Sequence, residues 1–169
     1  MGYTHKELSM FIPPSAIQKS AGTWTPTIAS NVVSDSRTAS AASFTLVIPI
    51  VPPFQSSGYR EGAKLNSIDV YYKIATTAAS VFTLALNKIT LPANAAAPTG
   101  AAVTGVTLDT LHDTEAECYA IGDHTATITV DNPAWIDDGE FYALTIAVTA
   151  AAGTVFTLYG ARANFTLRT

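Results

Sequence analysis

Residues 141–167 read FYALTIAVTAAAGTVFTLYGARANFTL, and the periodicity of this stretch decides the fold class. Tyr142, Leu144, Ile146 and Val148 fall on one face of a strand, with Ala143, Thr145, Ala147 and Thr149 on the other. Residues 150–153 break the run, and Phe156 and Leu158 restart it. Successive side chains of a strand point to opposite faces of its sheet, so one face is buried and the other is not. After Gly160 the apolar set slips from even to odd positions, Ala163, Phe165 and Leu167. That one-residue slip predicts a β-bulge at Gly160. The whole stretch reads as a hairpin of two long strands, and neither strand carries a plausible catalytic group.

The same period recurs upstream. Phe44, Leu46, Ile48 and Ile50 alternate up to the stop at Pro52-Pro53. Ile68, Val70, Tyr72 and Ile74 share a face, with Asp69, Tyr71 and Lys73 opposite, and Phe82, Leu84 and Leu86 continue the pattern as the expected partner of a second hairpin. Ala126, Ile128 and Val130 alternate again. One helical signal stands out: Thr114 and Glu117 have capping-box spacing, and Gly122 sits where a helix-terminating glycine belongs. A short helix is predicted over 115–121, plugging one end of the core with Tyr119 and Ile121. Six to eight short strands with one small helix predict an all-β fold, an antiparallel β-sandwich of jelly-roll topology.

The domain organisation expected is an extended N-terminal arm over 1–43, with an edge strand near Trp24 and Ile28, followed by a β-sandwich domain over 44–169. Pro13 and Pro14 exclude a helix or central strand there. Residues 34–43 are small and polar and read as a loop. Leu8, Phe11, Ile12, Ile17 and Trp24 are the residues by which the arm is expected to dock, and the surface expected to receive it is a neighbouring subunit.

Composition limits the functional classes. The chain has 169 residues, one cysteine (Cys118), 13% charged residues and a net charge of −4. One cysteine allows no intrachain disulfide. The charged share is about half of that usual in soluble domains. A surface of small neutral residues costs little to desolvate, which favours a subunit of a larger assembly. No basic patch supports a nucleic-acid partner, no apolar run is long enough for a membrane helix, and residues 1–10 lack a signal-peptide core.

Three groups of side chains are candidates for a site. His112, Asp113 and His124 could approach one metal, yet their spacing matches no established ligand signature, and Glu115 and Glu117 do not share a helix face. Asp131, Asp137, Asp138 and Glu140 read as a turn rather than a Ca²⁺ loop. Tyr59, Tyr71 and Trp135 are the aromatic candidates for a surface contact, such as a sugar platform. Cys118 is expected to pack in the core. No catalytic, cofactor or metal residues are assigned, and an enzyme is not expected.

The run from Phe44 to Ile50, the glycine-containing loop to Gly62, and Leu65 to Ile74 resemble small jelly-roll proteins of tailed bacteriophages. So do His124 to Val130, residues 135–139 and the strands that follow, the likeness spanning about 44–167. The resemblance implies a head-decoration, fibre or tail-associated subunit of the virion, made in the host bacterial cytoplasm. It implies a homo-oligomer, commonly a trimer, binding the major capsid or other virion proteins. It carries over no functional residue. The alternative expectation is a carbohydrate- or receptor-binding module of a tail fibre, using Tyr59, Tyr71 and Trp135.

Overall fold

Alternation of apolar and small polar residues is realised as twelve strands in two antiparallel sheets, in a computed structural model that describes residues 5–53, 62–94 and 96–168. The strands are β1 (His5–Ile12), β2 (Gln18–Lys19), β3 (Trp24–Ala29), β4 (Val32–Arg37), β5 (Ser43–Ile50), β6 (Gly62–Ala75), β7 (Val81–Thr90), β8 (Thr99–Ala102), β9 (Val106–Leu108), β10 (Gly122–Val130), β11 (Glu140–Thr149) and β12 (Val155–Arg168). A 3-10 turn (Pro14–Ala16) and one helix, α1 (Glu115–Tyr119), complete the described elements.

One sheet has the order β3-β4-β12-β6-β10-β9, with β1 added to the β4 side of β12; the other is β2-β5-β11-β7-β8. Strands β4 to β7 alternate between the sheets, as do β10 to β12. The two four-stranded faces are therefore β4-β12-β6-β10 and β5-β11-β7-β8, a jelly roll. Leu46, Ile48, Ile68, Ile74, Leu144, Ile146, Phe156, Leu158 and Phe165 fill the space between them without solvent exposure. Trp24, Phe44, Phe156 and Tyr72 form a continuous aromatic cluster within this core.

The inward faces expected for β5, β6, β7, β10, β11 and β12 are the observed ones, but two pairings differ. β11 and β12 are not a hairpin: β11 pairs with β5 and β7, whereas β12 crosses to the other sheet. β6 and β7 are likewise in opposite sheets. Two strands that are each buried on one face satisfy that burial equally well side by side or face to face, and here they stand face to face. The slip at Gly160 is present as a register shift between Leu158 and Gly160, and a second lies between Asn164 and Phe165.

Residues 5–43 are built into the two sheets of the chain itself. β1 runs along β12 from His5↔Arg168 to Ile12↔Ala161, β2 pairs with β5, and β3-β4 extends the sheet from β12. The physical reason is the unpaired outer edge of β12, whose backbone groups this segment satisfies. Ile17 is buried, and Leu8, Ile12 and Trp24 pack against the core, while Phe11 remains 61% exposed. Ile28, expected inward, is 76% exposed. The expected loop over 34–43 begins as strand: Ser34, Asp35 and Arg37 belong to β4 and are buried.

The helix ends at Tyr119, two residues short of expectation. Its capping box is formed, with the Thr114 hydroxyl oxygen accepting from the Glu117 amide and the Glu117 carboxylate accepting from the Thr114 amide. Gly122 opens β10 instead of closing the helix, and Ile121 is 60% exposed. The Cys118 side chain is fully buried.

Candidate binding cleft

The bulge in β12 lies beside a wide concavity. Over 156–158 the outer edge of β12 pairs with β4, and over 161–168 it pairs with β1. Between them Tyr159 has no ladder partner, because Leu158 pairs with Tyr72 and Gly160 with Tyr71. A bulged residue is released from the strict two-residue alternation, so its side chain can be re-aimed. Tyr159 and Tyr71 line a cleft of about 770 Å³, with Phe11 from the end of β1, Ala29, Val32 and Ser34 from the β3-β4 hairpin, and Arg162 from β12. Gly160 is required here: its φ is +123°, and a Cβ would lie 2.6 Å from the Ile12 carbonyl oxygen and 2.8 Å from the Phe11 ring.

One polar assembly adjoins these aromatics. Arg162 donates through Nε and Nη2 to Asp69 Oδ2 at 2.9 and 2.8 Å, and its guanidinium carbon lies 6.0 Å from the Tyr71 ring centre. Asp69 is 5% exposed, although it projects from the outer face of β6, because Arg162, Asn164 and Thr127 cover it. Burial opposes ionisation of this carboxyl. Hydrogen bonds from Thr127, Arg162 and Asn164, with the Arg162 charge, outweigh it and hold the group below the ordinary carboxylate range. The ion pair thus presents a fixed, planar donor beside two tyrosines, with its charge already matched.

Of the aromatic candidates, Tyr71 lies in this cleft, and Tyr59 falls outside the described residues. Trp135 is elsewhere. It bridges to Lys64, seven residues from Tyr71 along β6, or about 23 Å at 3.3 Å per residue. Its ring is occupied by Lys64 Nζ at 4.6 Å, Arg168 Cζ at 4.9 Å and the His5 ring at 5.9 Å. Tyr71 and Trp135 therefore do not form one site. Tyr159, Arg162 and Asp69 were missed by sequence reasoning. The available signal was Tyr159 immediately before the slip at Gly160.

The remaining candidates resolve into local structure. His112 and His124 meet, while Asp113 is not part of their contact. Among the described residues, no group of three or more His, Cys, Asp or Glu side chains is arranged to hold a metal. Glu140 pairs with Lys88 at 2.7 Å and accepts from the Asp137 amide, and Asp131 accepts from Thr107, so these acids fix turns and strand ends.

No protein-family model matches the chain, and no curated protein matches it. Among solved structures, the carbohydrate-binding module TmCBM61, determined with β-1,4-galactotriose, is similar at 11% identity over 95% of this chain and 86% of that one, with a TM-score of 0.39. The xylan-binding module CBM15 is similar at 14% identity over 96% and 97%, with a TM-score of 0.40. The cleaved adhesin domain of Lys-gingipain from Porphyromonas gingivalis W83 is similar at 11% identity over 94% and 97%, with a TM-score of 0.41.

Proposed function

We propose that the chain is a non-catalytic carbohydrate-binding module whose ligand docks in the cleft at the β12 bulge. The observation that carries this reading is the juxtaposition of Tyr71, Tyr159 and exposed Phe11 with the Arg162–Asp69 pair. Aromatic rings offer apolar faces to the C–H surface of a sugar, and Tyr hydroxyls add polar edges. The guanidinium supplies directional donors for hydroxyl oxygens. Because Asp69 neutralises Arg162, the cleft gains little from a ligand carboxylate, which points to neutral rather than uronic sugars. Calorimetric titration with neutral and uronic oligosaccharides tests this. Binding of a neutral ligand should weaken at least about tenfold in Tyr159→Ala and in Tyr71→Ala, a loss of about 1.4 kcal/mol. Wild-type protein that binds no member of a broad glycan panel removes the reading.

A second reading keeps the chain as a self-assembling structural subunit of a phage particle, in the homotrimeric, virion-bound form that the resemblance implies. Its support is the apolar β3-β4 hairpin, where Ile28, Val32 and Val33 are 76%, 49% and 48% exposed. Sedimentation of the purified chain as a monomer at high concentration, unaltered by Ile28→Ser, counts against it.

A further inference from the structure

Opposite the β3-β4 hairpin, the two sheets end in β9 and β8, and both strands are short. β9 pairs with β10 over residues 128–130, and β8 pairs with β7 only over residues 87–90. Leu84 and Leu86 of β7 thus lie on a stretch that β8 does not flank. The gap left between the sheets is a cavity of about 370 Å³, with Leu86, Ile128 and Leu144 at its base and Leu84, Val106 and Leu108 around them. Its side wall is held by backbone bonds. The Asp131 amide donates to the Gly105 carbonyl at 2.9 Å, Asp109 to Thr127 at 3.0 Å, and Val103 to Leu86 at 2.9 Å. The cavity is therefore preformed, and its volume falls within the range of small-molecule pockets, about 300–1,000 Å³.

The rim of this apolar space is polar at two points. Asp113 lines it from the loop before α1, with Glu117 of α1 within hydrogen-bond reach of the Asp113 carboxylate. The second point is the backbone of Leu84. The Phe82 amide donates to the Glu115 carboxylate, and the Leu86 carbonyl accepts from Val103. Residues 82, 84 and 86 therefore turn their backbone groups to the outer edge of β7. Glu115 satisfies the first and Val103 the last, and among the described residues no donor meets the Leu84 carbonyl between them. A carboxylate and a carbonyl both accept. No cationic side chain of the described residues lines the cavity. Aliphatic walls with two acceptors at the rim suit an apolar body that ends in a positively charged donor.

We propose that this cavity binds a primary aliphatic amine, its alkyl chain lying between the sheets and its ammonium donating to Asp113 and to the Leu84 carbonyl. The site is independent of the sugar cleft, which lies toward the other edge of its sheet. An alkyl anion is disfavoured there, because Asp113 and Glu117 repel its head group and no described cation at the rim receives it. Volume sets the chain length. At about 30 Å³ for each water-sized group, the cavity holds a chain of roughly eight to ten carbons with its head group at the rim. Each methylene removed from water should raise affinity about fourfold until the space is filled. A plateau in that series marks an enclosed site, since an amphiphile spreading over a surface gains with every added carbon.

Methyl NMR of the wild-type chain, titrated with butyl- to dodecylammonium chloride below micelle formation, tests the site. The expected result is shifts centred on the Leu86, Ile128 and Leu144 methyls, with affinity rising along the series to a plateau near decylammonium. Decanol and decyl sulfate should bind at least about tenfold more weakly, because neither makes the charge-assisted hydrogen bond to Asp113. Decyltrimethylammonium keeps the charge but has no N–H, so it should also bind more weakly. Asp113→Asn alters an exposed side chain and should bring decylammonium down to the level of decanol. Absence of shifts at the three methyls, equal binding of decyl sulfate or decyltrimethylammonium, affinity still climbing at dodecylammonium, or full decylammonium affinity in Asp113→Asn would each overturn the proposal.

Discussion

Gly160 sits at φ +123° with the Ile12 carbonyl and the Phe11 ring where a Cβ would need to be. Gly160→Ala must both strain the backbone and push β1 away, so a loss of about 2–4 kcal/mol is expected in urea unfolding. Glycan affinity should fall with it, since Phe11 is the displaced wall. Asp69 makes a second residue-scale prediction. Its carboxyl is held below its unfolded value, so its contribution to stability is present above about pH 3.9 and is lost as pH falls through the folded value. Asp69→Asn should flatten the acid limb of the melting-temperature profile. It should also free the Arg162 charge, improving affinity for uronic relative to neutral oligosaccharides. Arg37 shows what the sequence hides at this scale. It reads as part of a polar loop, yet it is 1% exposed, bonds the Ser40 and Ala42 carbonyls, and lies 4.7 Å from the Phe44 ring centre.

Among elements, α1 depends most on a few local bonds. It has five residues, too few to persist alone, and is held by its cap and by Glu115, which accepts from the Phe82 amide of β7. Removing the cap in Thr114→Ala should cost about 1 kcal/mol, measured by chemical denaturation. Thr114→Ser should recover most of it. Thr114 and Glu117 were legible as a cap because both partners lie within one turn. The end of α1 was not legible, because Gly122 is committed to β10 by pairing with Ile74, a contact 48 residues away in sequence.

At the scale of the whole molecule, the N-terminal segment seals the sandwich. β1 covers the β12 edge along eight residue pairs. An uncovered edge is a template for pairing with other chains. Deleting residues 1–12 should therefore produce higher oligomers in size-exclusion chromatography and abolish glycan binding. Phe11→Ser keeps the backbone pairing, so it should lower affinity while leaving the chain's size unchanged. Strand positions, inward faces and the bulge were all readable from residues 141–167, because alternation and its one-residue slip are properties of neighbouring residues. The partner of each strand was not, since a buried face is satisfied equally by a neighbour beside it or a sheet across from it. Closure of two sheets decided that β11 and β12 stand face to face. The same closure brought Phe11, Tyr71, Tyr159 and Arg162 to one cleft, although no spacing along the chain connects them.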